Sequence, residues 1–345
     1  MDAVIDLASE LARAGRDDCD GNLRFGGRRF HKLTQRSGVI SGYDHAEYFD
    51  VVDSLRRHKP HYFAPQKTCP ACALDRAAPF MDKAGLTLAR CEACGLVYQA
   101  PRFRADRLQE LYSKQYPLAA AYLSAEQNEL DEYKFRYGLR RVIEQGGRLS
   151  GILDIGAGNL HFLDVCRRLG GSRLYGIEPG SIPGVPPKDV TIFREFHDRV
   201  PDIEELSLVT MWDALEHIHG LVPLVESVFA RLAPGGLFLV LVPNLMSLAS
   251  RLIRERSPSF NVYHLNYFDQ HSLTALLTSR GFEVASLETL ISEIDNCRNY
   301  LEFQEPYMST PRGEKAFDWL TPDYIHANML GSRLLALGRK PGRGR

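Results

Sequence analysis

Residues 151–178 read GILDIGAGNLHFLDVCRRLGGSRLYGIE, and their order decides the fold. A short apolar strand runs into Asp154-Ile155-Gly156-Ala157-Gly158. A helix follows, and a second strand ends at Glu178. This is a βαβ unit of a parallel α/β sheet, in which ligands bind outside the carboxyl ends of the strands. Gly156 permits the tight turn, and Gly158 lets the backbone approach a ligand closely. Glu178 stands 178 − 156 = 22 residues after Gly156, where a carboxylate commonly holds a ribose. The plain alternative for Glu178 is a solvated turn carboxylate.

Outward from this unit the alternation continues. Strands are expected at 151–155, 173–177, 189–193, 206–212, 236–242, 282–288 and 333–339. Helices are expected at about 159–169, 221–232 and 270–280, so the sheet is parallel with helices on both faces. Residues 105–147 read as helices that stop at Gly146-Gly147. Residues 1–14 have helical periodicity, and the pattern of 1–65 as a whole assigns no chemistry.

Residues 66–104 form a compact unit with two C-x-x-C pairs, Cys69/Cys72 and Cys91/Cys94, separated by 18 residues. Four thiolates at this spacing complete a tetrahedral ion, so the site is structural zinc without an open catalytic position. The chain has 7 cysteines, an odd count that points to metal in a reducing, cytoplasmic setting rather than to disulfides.

Hydrophobic residues make up 44% and charged residues 25% of the 345, the composition of a soluble globular protein. The net charge of −1 gives no global pull toward nucleic acid or membrane. The basic stretch RFGGRRFHKLTQR at 24–36 reads as a solvated face. No signal peptide is evident, and the apolar run near 236–249 is broken by Pro243 and Asn244, too short to span a bilayer.

NAD and S-adenosylmethionine both use the Gly-x-Gly turn. Here the third glycine of a pyrophosphate cradle is absent, since Asn159, Leu160 and His161 follow Gly158. The fourth strand ends in MWDALEH, and LAPGG leads directly into a very apolar fifth strand. With LDIGAGN, YGIEPG, TMWDALEHI, LAPGGLFLVLVPN and HLNYFDQHSLTALLTSRGFEV, the chain from about 66 to 340 resembles class I S-adenosylmethionine-dependent methyltransferases. The branch it is most similar to is bacterial, with an N-terminal zinc ribbon, and works in glycan and deoxysugar biosynthesis.

The resemblance implies a Rossmann-like α/β sheet of seven strands with the last, RLLALGRK, antiparallel. It implies domains at 66–104 (zinc ribbon), 105–147 (helical linker or lid) and 148–341 (methyltransferase). It places Asp154, Gly156, Ala157 and Gly158 along the methionine part of the cofactor, Glu178 at the ribose and Asp213 beside the sulfonium. Glu195 or Phe196 meets the adenine. Tyr112, Tyr116 and Tyr133 close over the cofactor, or else are core. Where the family carries a small residue this chain has Leu160.

An alcohol acceptor needs a base. His217 is the first candidate, Glu216 its neighbour and His264, after the fifth strand, the second. Asp213-Ala-Leu-Glu216 also has the spacing of a capping box, which would give both carboxylates a purely structural role. His161 reads as packing. The long connections 244–266 and 289–330 are expected to shape the acceptor pocket, with Glu302, Glu305 and Tyr307 as lining. The function expected is methyl transfer to O or C of a small, polar, sugar-like acceptor. Transfer to a natural product, a quinone or RNA is the alternative, as is a non-catalytic ligand-binding scaffold.

Overall fold

The computed structural model describes residues 57–83, 85–107, 125–180, 186–201, 203–257, 259–294 and 318–342, with Leu11, Gly15, Arg16, Cys297 and short segments at 303–305 and 310–311. Most of 1–56, the linker at 108–124, most of 298–317 and the side chains of 303–305 and 310–311 lie outside this set.

The N-terminal unit contains β1 (Phe63–Ala64), β2 (Ala77–Lys83), β3 (Leu86–Cys91), β4 (Val97–Gln99) and β5 (Arg102–Phe103). Helix α1 (Ala125–Glu144) ends where Gly146 and Gly147 donate back to Ile143 and Val142 carbonyls. The alternating region follows as β6 (Ser150–Ile155), α2 (His161–Arg168), β7 (Ser172–Ile177), β8 (Val190–Phe193), β9 (Leu206–Trp212), α3 (Leu221–Arg231) and β10 (Leu232–Pro243). Then come α4 (Leu248–Ile253), β11 (Asn266–Tyr267), α5 (Gln270–Thr278), β12 (Glu283–Leu290), β13 (Phe303–Glu305), β14 (Thr310–Pro311), α6 (Pro322–Ala327) and β15 (Arg333–Arg339).

Seven strands form one sheet in the order β12-β15-β10-β9-β6-β7-β8. β15 runs antiparallel to both β10 and β12, while the pairs among β10, β9, β6, β7 and β8 are parallel. The seven expected strands are all present, and the last one is inserted between the fifth and the sixth.

The sheet is covered on both faces, as a parallel sheet requires. Val209, Met211, Phe238, Val240 and Val242 point to one face, with Leu221, Leu224, Val225 and Val228 of α3 and Leu273, Leu276 and Leu277 of α5. Their alternate neighbours Leu208, Trp212, Leu237, Leu239 and Leu241 meet Phe135, Leu139 and Val142 of α1 and Phe162, Leu163 and Val165 of α2 on the other. β9 is buried along its whole length, which is why its sequence LSLVTMW is a continuous rather than alternating apolar run.

The N-terminal unit shares a sheet with the connection after β10. Its second sheet has the order β11-β4-β3-β2, with Asn266 opposite Tyr98 and Tyr267 opposite Val97. Three buried polar side chains of the unit reach the same connection. Lys83 Nζ donates to the carbonyls of Ser257 and Phe260, and Gln99 Nε2 to those of Val262 and His264. Arg102 donates to Ile218 O and Asn266 Oδ1. Burial pushes Lys83 down to about 8 and Arg102 down to about 10. Buried donors of this kind are costly unless matched, so these bonds fix the course of Ser257 and of residues 259–266. Among the described residues no helix is long and apolar enough to cross a membrane.

Candidate active site

The turn after β6 is held against the end of β7, where Gly156 and Ala157 N–H groups both donate to Ile177 O at 2.9 and 3.0 Å. Gly156 has φ +80°, and a Cβ there would sit 2.9 Å from Ala214 Cβ, so glycine is required. Gly158 has φ +52°, and the space a Cβ would take there is open to 4 Å. Its N–H donates to Glu178 Oε2 at 2.9 Å, and Gly180 N–H donates to Oε1 at 2.7 Å. A carboxylate has about four lone-pair sites, so about two remain for the vicinal hydroxyls of a ribose. The open glycine and the pinned carboxylate fit a nucleoside ligand.

Leu160, the departure from the family pattern, has φ +65° and ψ +10° at the start of α2, with its side chain 4% exposed. Burial of the leucine against the α1/α2 core offsets the cost of the left-handed backbone, about 1–2 kcal/mol. Helix α1 also grips this loop. Asn159 Nδ2 donates to Asn128 Oδ1 at 2.7 Å, and His161 Nε2 lies 3.0 Å from Asn128 O. His161 therefore joins two helices.

Asp154 is 2% exposed and accepts from Thr210 Oγ1 at 2.6 Å. Burial pushes its carboxyl up to about 7, against the Thr210 bond. Asp213, φ +46°, follows β9 and forms ion pairs with Arg333 Nε at 2.7 Å and Lys134 Nζ at 3.4 Å. Burial opposes its ionisation, but Arg333 and then Lys134 outweigh it and hold the carboxyl below the usual range. Phe196, 42% exposed, follows β8, and Glu195 beside it is exposed. Tyr133 packs, half-buried, against the α1/α2 core. Tyr112, Tyr116, Glu302 and Tyr307 lie outside the described residues, and only the backbone of Glu305 is described.

Residues 215–217 form a single 3-10 turn preceded by Ala214, without a side-chain cap. The capping box expected from Asp213 and Glu216 is thus not formed, because Asp213 is turned to Arg333 and Lys134. The 257–266 connection docks on this turn through Leu265 N–H to Glu216 O at 2.9 Å and Asn266 Nδ2 to Ile218 O at 2.8 Å. That docking brings the three acid–base candidates together. His217 Nε2 is 3.8 Å and His264 Nε2 is 4.0 Å from Glu216 Oε1, with the two rings 4.9 Å apart. Burial lowers both histidines, His264 the further because His217 and Arg333 add to it. Burial, then the Asp213 charge, raises Glu216 well above the usual carboxyl range.

The four cysteines converge as expected. Cys69 Sγ and Cys94 Sγ are 3.5 Å apart, as are Cys72 Sγ and Cys91 Sγ, and all four sulfurs lie within 4.8 Å of one another. The hydrogen bond from Cys69 pushes Cys94 down to about 5. A set of four soft donors at this separation fits a tetrahedral zinc.

Residues 122–287 match the family model described as "Methyltransferase domain". Residues 122–287 carry a class I methyltransferase domain. Its strand order is that of the fold, and the cofactor of this enzyme class is S-adenosylmethionine. No curated protein matches the methyltransferase. Among solved structures, it is similar to a SAM-dependent methyltransferase from Archaeoglobus fulgidus (18% identity, 66% of this chain and 100% of that one, TM-score 0.45). It is also similar to the 1,6-didemethyltoxoflavin-N1-methyltransferase of Burkholderia thailandensis (14%, 77% and 100%, TM-score 0.45). A third is a putative sarcosine dimethylglycine methyltransferase from Galdieria sulphuraria (13%, 62% and 88%, TM-score 0.41). At these identities and scores the neighbours carry no argument about the acceptor.

Lys134, Arg333 and Asn128 were not singled out in the sequence. Each is an ordinary charged or polar residue on a helix or strand end, and only the fold places it beside the 156–160 loop or Asp213.

Proposed function

We propose that this methyltransferase moves a methyl group to a hydroxyl oxygen or carbon of a small polar, sugar-like acceptor, on a scaffold braced by zinc at Cys69, Cys72, Cys91 and Cys94. The observation that carries the reading is Glu178, pinned by Gly158 and Gly180 at the mouth of an open glycine turn. When bound, S-adenosylmethionine supplies a methyl already activated on a sulfonium, so alignment contributes much of the rate.

The chain's own contribution is the proton. A hydroxyl acceptor that gains a methyl group must give up its proton. His217 and His264, neutral by burial, offer Nε2 to receive it, and Glu216 stands within 4.0 Å of both. A hydroxyl-bearing acceptor suits this polar cluster better than an apolar one, and the net charge of −1 does not favour a polyanion.

The reading is tested by incubating the protein with S-adenosylmethionine and a panel of nucleotide sugars and free sugars, then reading a mass gain of one methyl. His217→Ala and His264→Ala should each lower turnover about 100-fold while cofactor affinity is kept. Full activity in both variants would remove the acid–base role.

A further inference from the structure

Glu216 is 1% exposed, and neither carboxylate oxygen has a hydrogen-bond partner among the described residues. An unmatched buried carboxyl costs about 1–3 kcal/mol or more, and this one does not cap its turn. The two imidazoles beside it are oriented in the same way. His217 Nδ1 lies 2.9 Å from Tyr263 O and His264 Nδ1 lies 2.8 Å from Ser259 O. A carbonyl oxygen only accepts, so Nδ1 carries the proton in both rings and the lone pair is on Nε2. Both Nε2 atoms are the ones that face Glu216 Oε1. A backbone carbonyl fixing Nδ1–H while Nε2 points to a carboxylate is the arrangement of a metal-ligating histidine.

We infer that Glu216, His217 and His264 form a second metal site, separate from the four cysteines, that takes one divalent transition-metal ion through a carboxylate oxygen and two imidazole Nε2 atoms. The three ligand atoms lie within 4.8 Å of one another. Ligands at about 2.1 Å from one ion stand roughly 3.0–3.4 Å apart, so loading closes separations that reach at most 4.8 Å by up to about 1.8 Å. Two nitrogens and one oxygen suit Mn, Fe(II), Co or Zn and leave coordination positions open. The sequence separates the ligands by 47 residues, 264 − 217, and the Leu265 and Asn266 bonds to the 215–218 turn bring them together.

Resting on the methyltransferase reading, the ion's task is to hold the acceptor. Open positions on a hard-to-borderline cation favour two neighbouring oxygens, so the acceptor class is a vicinal diol or a hydroxyl beside a carbonyl. With the ion bound, both Nε2 lone pairs would be on the metal, so the role of base given above would pass from the histidines to solvent: a hydroxyl held by the cation would lose its proton more readily, and the methylated oxygen would be the one the ion holds.

The test is titration of the zinc-loaded protein with Co2+, read by visible absorption, with S-adenosylhomocysteine calorimetry on the same preparation. The site predicts one equivalent of Co2+ with weak d–d bands and without the intense thiolate charge-transfer band that a four-cysteine site gives. Glu216→Gln and His264→Gln should each weaken Co2+ binding at least 10-fold while S-adenosylhomocysteine still binds, which shows that the variant is folded. Absence of such bands in the wild type, or equal Co2+ binding in both variants, would overturn the metal site. If S-adenosylhomocysteine binds while Co2+ does not, the metal site alone fails. If Co2+ binds and S-adenosylhomocysteine does not, the metal site stands and the methyltransferase reading fails.

Discussion

Arg333, the first residue of β15, ion-pairs with Asp213 just after β9 at 2.7 Å, across the intervening strand β10. Lys134 of α1 approaches the same carboxylate at 3.4 Å and Asp131 at 2.6 Å. The residue expected beside the sulfonium thus has its charge already balanced by protein cations, one from the start of the antiparallel last strand and one from the middle of α1. Arg333→Met should leave Asp213 partly buried with Lys134 alone. Urea unfolding should show a loss of about 2 kcal/mol. The double variant Arg333→Met/Asp213→Asn should lose less than the sum of the singles, and additivity would mean that the pair is not coupled.

Leu160 makes an unusual order of stabilities testable. Leu160→Ala keeps the left-handed backbone and removes the burial, at about 2–4 kcal/mol. Leu160→Gly loses the same burial but relieves about 1 kcal/mol of strain, so it should be the more stable of the two. In most helix starts without a positive φ the order would be reversed. Thermal unfolding of both variants decides it.

Asp154 gives the pH dependence. Its folded value, about 7, lies above the unfolded value of about 3.9. The stability it contributes is fully present below about pH 4 and is lost as the pH rises through about 7. Asp154→Asn keeps a partner for Thr210 and removes this titration. The variant should gain on the wild type between pH 4 and pH 8, by on the order of 2–4 kcal/mol. A constant difference across that range would show that Asp154 is ionised when folded.

The sulfur site predicts about one zinc per chain that survives brief exposure to EDTA, since four thiolates leave no open position. Cys91→Ser should lose it. It should also weaken the core shared by Cys91, Cys94, Leu96 and Tyr98 with the methyltransferase sheet, and so lower the melting temperature of the whole chain. Metal-free protein with unchanged melting would contradict the ribbon.

The strands were legible because each is a short apolar run between turn residues, and LSLVTMW and LFLVLVP could only be central. The position of Glu178 beside the 156–158 turn was legible because its distance from Gly156 is fixed by one βαβ unit. The cysteines were legible because chelation fixes their spacing. What could not be read is long-range. Two residues, Asn266 and Tyr267, complete the ribbon sheet, and no periodicity marks so short a strand. Lys134, Arg333 and Asn128 take their roles from the docking of α1 and the insertion of β15. Glu216 had the spacing of a cap, and only the turn of Asp213 toward two cations shows that it is not one.

The central claim rests on Glu178 and the turn it holds, and calorimetry with S-adenosylhomocysteine tests it most directly. One molecule should bind per chain, in the micromolar range, and Glu178→Ala should weaken it at least 10-fold, consistent with about two lost charge-assisted hydrogen bonds. Absence of binding to the wild type at high micromolar ligand, or equal affinity in the variant, would contradict the account.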